Sequence, residues 1–448
     1  MSAQQATAAN GKEPGLDAHL YDLATGDEDA RICRDIPEDQ CNEQPRSFVR
    51  QVIAQSLSKT GDVLADPKIV LPWLLGALGA PVFFVGLLVP IRESLALLPQ
   101  MLVGSAIRRF PVRKGFWVVA SIVEGSCVVL MGVLAAAGLR GAAAGWSITG
   151  LLVVFSLARG VASIAAKDTL GKTVSKGRRG RVSGYAATAS GLAASAAGLY
   201  LALTPEGARP EWALYAIIVG AGLCWFAAAA TFWSIREFPG ATEGGKSLRD
   251  LVREQVALLF KDAELRKFLL ARTLMISTAL AGPAYVSLAQ QGSGQKLAGL
   301  GWMVIAGGLA SALSASFWGT LADRSSRLTM GVAALVCGAL GVIVLAALHF
   351  VPELAGSSLF FAAVLFVLGI GHAGVRIGRK THVVDLAGGD RKTEYVAVSN
   401  TLIGILLLVI GAGVGVLLGI GLELAIGVLS AMALLGAVLA MAMKNVQA

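Results

Sequence analysis

Charge is scarce in this sequence: only 15% of its 448 residues are Asp, Glu, Lys or Arg, where a soluble chain carries roughly a quarter. The shortage excludes an ordinary soluble domain, and 55% of the residues are hydrophobic. A basic-then-apolar start is also missing: the first 45 residues are polar, so no cleavable signal peptide is expected. Strand-type alternation is sparse among the Gly- and Ala-rich runs, which argues against a membrane β-barrel. Neither His-Glu-x-x-His nor a serine elbow is present, so the chain is not expected to be an enzyme. Cysteines number five. Cys33 and Cys41 lie in the polar start, downstream of His19, and read as reduced, unpartnered thiols rather than metal ligands. Cys127, Cys224 and Cys337 fall in apolar runs and read as packing residues.

Long apolar runs are what the chain does have, from about residue 69 to 443. The segments 182–205 and 212–235 are uncharged throughout, and between Val396 and Met443 the one charge is Glu423. About 20 apolar residues cross the hydrocarbon as a helix, because lipid leaves backbone groups no partner except one another. Each of these segments is long enough. The fold class is therefore an all-α membrane protein.

The net charge of +9 is a matter of topology. Basic residues crowd one set of loops, among them Arg108, Arg109, Arg113, Lys167, Lys172, Arg324, Arg327, Arg376 and Arg379; the alternate loops hold only Arg140, Arg209 and Lys296. That asymmetry predicts a multi-pass protein of the cytoplasmic membrane with both termini in the cytoplasm. It leaves no face for nucleic acid. Residues 1–45, with ten acidic and three basic residues, predict a flexible acidic tail.

An internal repeat sets the span count. Gly86-Leu-Leu-Val-Pro through Gly104-Ser-Ala-Ile-Arg-Arg has the layout of Gly301-Trp-Met-Val-Ile through Gly319-Thr-Leu-Ala-Asp-Arg, with the same spacing between the two glycines. Ser183-Gly-Tyr likewise matches Thr393-Glu-Tyr. Carrying the second layout back by the offset between Gly301 and Gly86 places spans near 52–78, 81–105, 115–137, 146–166, 183–204 and 211–235, then 267–289, 296–318, 328–349, 357–377, 395–419 and 422–443. Twelve spans in two six-helix halves follow, with domains 46–235 and 267–448 joined by a linker, 236–266. In the linker, Leu248, Leu251, Val252, Val256, Leu259 and Phe260 recur at helical spacing and predict an amphipathic surface helix. Gly240 to Ser247 satisfies the phosphate-loop pattern, but no strand precedes it and nucleotide binding is not expected. The twofold plan also disfavours a channel.

Gly319-Thr-Leu-Ala-Asp-Arg-Ser-Ser-Arg, after span eight, resembles the loop signature of the major facilitator superfamily, Gly-x-x-x-Asp-Arg-x-x-Arg. The resemblance implies a secondary transporter whose loop forms a charge-bonded latch. Asp323, Arg324 and Arg327 would make it, with Gly319 allowing close helix approach. The first-half copy departs from the pattern: after Gly104, Ile107 and Arg108 stand where the acid belongs. Span four carries Arg159-Gly160 without the Gln common in the family, and span five lacks the Gly-Pro pair of the antiporters.

Charges inside the bilayer carry the functional reading, since each is costly unless paired or hydrated. They are Lys59, Asp62, Asp66 and Lys68 in span one, Arg92 and Glu93 in span two, Glu124, Arg159 and Arg272. At ~1.5 Å per residue, Asp66, Arg92, Glu124 and Arg159 share one depth. Lys59, Asp62 and Asp66 fall on one helix stripe. The resemblance places spans one, four, seven and ten around a central cavity. Asp62, Asp66, Glu93 and Glu124 are candidates for proton coupling; Lys59, Arg92, Arg159, Arg272 and His372 are candidates for substrate contact. Burial favours a neutral carboxyl and a nearby guanidinium favours a charged one, so a moving Arg would switch proton affinity. The function expected is proton-coupled transport of a small solute by a monomer in the lipid bilayer, with no cofactor and no metal. The alternative is a facilitator-like sensor or assembly factor that no longer transports, consistent with the altered first-half latch and the acidic tail.

Overall fold

A computed structural model describes residues 41–98, 106–205, 212–242, 248–294, 296–388 and 391–447, with isolated positions 17, 20, 21, 208 and 210. His19, Cys33, Gly104 and most of the acidic tail lie outside the described residues, as does 243–247 of the phosphate-loop-like stretch. All regular structure among the described residues is helical. The first half contains α1 (Gln44–Leu64), α2 (Val70–Ala77), α3 (Phe83–Leu97), α4 (Lys114–Ala136), α5 (Gly141–Thr173), α6 (Lys176–Leu203) and α7 (Ala213–Trp233). The linker helix α8 (Leu248–Lys261) follows. The second half contains α9 (Ala263–Leu274), α10 (Ser277–Ser293), α11 (Leu297–Arg324), α12 (Ser326–Phe350), α13 (Ser358–Ala387), α14 (Lys392–Ile420) and α15 (Leu422–Met441).

Ten spans are long and apolar enough to cross a membrane, α9 and α10 together forming one of them. Expected spans one and two stand outside that set. Span one is the polar α1 followed by the eight-residue α2, and span two is α3, described for 15 residues. The break between α1 and α2 has a local cause. Pro67 disfavours helix at the residue before it, and the Asp66 carboxylate accepts from the backbone N–H of Lys68 at 2.8 Å and Ile69 at 2.9 Å. Asp66 therefore turns the chain, and the expected stripe through Lys59, Asp62 and Asp66 stops at Asp62. Span seven is broken too, at Met275–Ile276 between α9 and α10.

Packing obeys the repeat. In the first half α1 packs on α6 and α7, α3 on α5, and α4 on α5 and α7. In the second half α9 packs on α14 and α15, α11 on α13, and α12 on α13 and α15. These are the same pairs shifted by six spans. Gly79 and Gly294 close the first span of each half with left-handed φ of 65° and 66°, a conformation that glycine adopts without steric cost. Their separation along the chain equals that of Gly86 and Gly301, the offset of the repeat.

The halves meet through two symmetry-related pairs, α3 with α14 and α6 with α11. Small residues let the backbones approach, as association between helices in lipid requires. A methyl group at Gly86 would lie 2.4 Å from the Cα of Gly415, and one at Gly301 would lie 2.5 Å from the Gly198 carbonyl oxygen. Both contacts lie toward the end opposite the one holding residues 43 and 443. There the side chain of Gln290 donates to the Trp73 carbonyl at 2.9 Å, adding a polar tie between α10 and α2. At the terminal end, α1 and α9 pack within their own halves.

Three expectations need correction. Helix α13 runs on to Ala387, so Arg376, Arg379 and Lys380 belong to a helix and not to a loop. Tyr21 of the acidic tail is buried against Phe48, Val174 and Val182, so the tail is anchored at that position. Cys41 is disulfide-bonded, not a reduced thiol. In α8, Val256 and Phe260 are exposed while Leu258 is buried, and the helix packs against α14.

Gly86→Val is expected to overpack the α3–α14 contact and cost about 1–3 kcal/mol, read as a lower melting temperature in detergent. Gly150→Ala, where nothing lies within 4 Å of the added carbon, is expected to leave it unchanged. Equal melting temperatures for the two variants would refute this interface.

Candidate functional site

Four charges from four helices of the first half converge in the interior. Helix α1 brings Ser58 and Asp62, four residues apart and thus on one face. Helix α5 brings Phe155 and Arg159 at the same spacing. Asp62 accepts from Arg92 of α3 at 2.8 Å and also from Arg159. Arg159 donates to the Ser58 hydroxyl at 2.9 Å and stands 3.5 Å from the Glu124 carboxylate on α4. The Arg92 guanidinium stacks 5.0 Å from the Phe155 ring centre, which adds cation–π attraction.

The four charges cancel, but they are not equivalent. Asp62, Arg92 and Arg159 keep about a fifth of their side-chain surface exposed, whereas Glu124 has none. Neither Glu124 oxygen accepts a hydrogen bond. A carboxylate held that way is costly to keep charged; Arg159 is its one ion-pair partner among the described residues. The sequence placed Asp66 in this set. The structure replaces it with Asp62, because the Pro67 turn leaves Asp66 bonded to its own backbone. Lys59 points elsewhere, donating to the Ser183 carbonyl at 3.0 Å.

A second group bridges the halves. The Lys68 ammonium lies 3.1 Å from Glu93 and 3.2 Å from Nε2 of His372 on α13. An ammonium has only donors, so Nε2 accepts and Nδ1 carries the imidazole proton. Nδ1–H then donates to the Thr278 hydroxyl at 3.1 Å, which donates in turn to the Met275 carbonyl at 2.9 Å. Thr278 and Met275 flank the break in span seven, so this chain of bonds runs from the span-one turn to the span-seven break.

Arg272 joins neither group. It is 6% exposed and donates to the hydroxyl of Ser399 and, at 3.1 Å, to the Asn400 side-chain oxygen, both on α14.

The loop signature departs from its expected geometry. In the second half Arg327 donates to the carbonyls of Met441 at 3.3 Å and Met443 at 2.7 Å, tying the loop to the end of α15. Asp323 and Arg324 form no ion pair among the described residues; Asp323 lines a groove of about 530 Å³ with Asp385, Lys392 and Gln447. Nothing lies within 4 Å of a carbon added at Gly319, so it makes no close approach, while one at Gly378 would sit 3.0 Å from the Ser326 carbonyl.

In the first half the loop is tied by residues the motif does not contain. Arg108 is exposed and contributes only its carbonyl, to Arg113. Arg113 pairs with Asp168 and donates to the Ala241 carbonyl at 2.6 Å. Glu237, with no exposed side-chain surface, accepts from the backbone N–H of Arg113 and Lys114 and from the Lys172 ammonium at 2.9 Å. Arg113 thus ties its loop to the segment after α7, as Arg327 does to α15. One signal could have found this network. Asp168 is the lone acid between Glu124 and Glu206, set in an otherwise basic run.

The fold and interior charges define a polytopic helical membrane protein of two pseudo-symmetric halves. No curated protein matches the sequence. The family model described as "Major Facilitator Superfamily" matches residues 268–446. Among solved structures, nucleoside transporter NupG superposes with a TM-score of 0.67 at 11% identity, covering 88% of this chain and 98% of that one. A POT family transporter in complex with 5-aminolevulinic acid gives 0.67 at 10%, covering 92% and 99%. A D-xylose-proton symporter gives 0.62 at 10%, covering 89% and 98%. The chain shares its fold with these transporters over about nine-tenths of its length, and residues 268–446 match the family's sequence pattern.

Arg113→Ala is expected to remove the guanidinium from Asp168, which keeps Lys172 at 2.7 Å, and from the Ala241 carbonyl, and to cost about 1–3 kcal/mol, whereas Arg108→Ala is expected to cost almost nothing. Thermal unfolding in detergent checks both, and comparable losses would refute the assignment of this network.

Proposed function

We propose that this protein is a secondary active transporter that moves a small solute by alternating access and is driven by protons. The carrying observation is the Asp62–Arg92–Arg159–Glu124 centre: two acids share one guanidinium, and one of them is fully enclosed. When Arg159 holds both, both stay charged. When the first half rearranges and Arg159 turns to Asp62 or to solute, Glu124 is left without its partner and takes a proton. Carrying that proton to the other side, and losing it when Arg159 returns, couples the gradient to the swing of the halves.

The packing supports the swing. The halves meet along α3–α14 and α6–α11 and are tied between α2 and α10 at the end opposite the termini, while at the terminal end α1 and α9 pack within their own halves. The basic residues gathered at that end argue that it faces the cytoplasm, with the chain in the cytoplasmic membrane. A sensor that no longer transports drew its support from the altered first-half motif. Arg113, Asp168, Lys172 and Glu237 tie the loop there in another way, which weakens that part of its support and leaves the acidic tail.

Proteoliposomes test the proposal. Glu124→Gln keeps the shape of the side chain and removes the proton site. It is expected to cut substrate-driven proton movement by roughly 100-fold or more, while the protein still elutes as a monodisperse species. Transport by this variant that kept its dependence on the proton gradient would refute the coupling.

A further inference from the structure

The two halves differ in how their interior charges are balanced. In the first half, Lys59, Lys68, Arg92 and Arg159 stand against Asp62, Asp66, Glu93 and Glu124, four cations and four acids. In the second half no Asp or Glu occurs between Lys267 and Asp323, between Arg327 and Glu353, between Glu353 and Asp385, or between Glu394 and Glu423. The spans of that half nevertheless carry Arg272, Arg376, Arg379 and Lys380.

These cations are gathered. His372, Arg376 and Arg379 lie at i, i+4 and i+7 on α13 and so form one stripe. Arg379 is in electrostatic range of Arg376, of Glu93 on α3 and of Arg272 on α9. His372, on the same stripe, meets Lys68 of the first half at 3.2 Å, so this face of α13 is turned toward the other half. Arg379 has no hydrogen-bond or ion-pair partner among the described residues. Arg272 is fixed by Ser399 and Asn400, is 6% exposed, and has a buried Nε with no partner. The acid near both is Glu93, already bound by Lys68 at 3.1 Å. Arg272, Arg379 and Lys68 therefore share Glu93, Asp66 lies near Lys68, and the stripe adds the exposed Arg376 but no negative charge. Cations are left in excess along this face, with Arg272 buried, Arg379 partly buried and Arg376 exposed to solvent.

We infer that the solute is a small organic anion, whose carboxylate or phosphate group is held by Arg379 and Arg376 against the fixed charge of Arg272. Guanidinium forks match such groups in geometry as well as sign. A cation would meet three like charges, and a neutral solute would leave them unpaired. The inference rests on the transport reading for its meaning but not for its test, which measures binding.

The full-length chain is purified in non-ionic detergent free of phospholipid. Its melting temperature is followed at constant ionic strength with inorganic phosphate, succinate, glycerol 3-phosphate, choline or glucose. At least one of the three anions is expected to stabilise the protein, and Arg379→Gln is expected to weaken that anion's apparent affinity by about tenfold or more, with Arg379→Lys recovering part of the loss. Gly150→Ala, outside both charge groups, is expected to keep the anion response. The inference is overturned if no anion stabilises the protein, if choline or glucose does so instead, or if Arg379→Gln leaves the response unchanged. It is also overturned if only added phosphatidylglycerol stabilises the protein, since the cations then serve lipid headgroups. Anion binding without proton-coupled flux of that anion would sink the transport reading and leave this one standing. Proton-coupled flux of a cation would do the reverse.

Discussion

A carboxylate enclosed in a membrane protein has to be paired, hydrated or protonated, and the first half is organised by that constraint. Glu124 is sealed, accepts no hydrogen bond, and has Arg159 as its one ion-pair partner among the described residues. Arg159 is shared with Asp62, which also holds Arg92. Movement of α5 or α1 would change which acid keeps the guanidinium, so the position of the helices and the protonation of the centre are linked. The same helices pack the bundle, since α1 leans on α6 and α7 and α5 on α3 and α4.

The second half solves a different problem with the same architecture. Its helix pairs repeat those of the first, yet its interior carries cations without acids. Duplication thus supplies two equivalent frames with separate charges: a neutral, internally paired centre in one and an electropositive wall in the other. The Lys68–His372 contact crosses between them close to the breaks in spans one and seven, and the Gln290–Trp73 bond crosses toward the end opposite the termini. Those breaks are where the backbone has slack to bend, and they bring the halves' polar groups within reach of each other.

Much of this plan was legible in the sequence. Apolar runs of membrane length gave the class, and the paired glycines gave a repeat offset that Gly79 and Gly294 reproduce in their backbone angles. Arg92, Glu124 and Arg159 could be brought to one depth from residue spacing alone, because helical rise is fixed. What spacing does not carry is a break. Pro67 ended the first helix, so Asp66 left the stripe and Asp62 took the place beside Arg159. Helix length was hidden in the same way: nothing in the basic run Arg376–Lys380 says whether it caps a helix or continues it, and α13 continues to Ala387. The first-half network was missed because its residues come from three separate segments around Arg113, Asp168 and Glu237. No linear motif joins them.

The central claim is that Arg159 decides whether Glu124 holds a proton. Infrared difference spectroscopy of the protonated-carboxyl stretch, taken across a pH titration of the purified protein, addresses it directly. Replacing Arg159 by Gln should make a protonated-carboxyl band appear at higher pH than in the unaltered protein, and Glu124→Gln in the same background should abolish that band. A band that ignores the loss of Arg159, or that survives the loss of Glu124, would contradict the account.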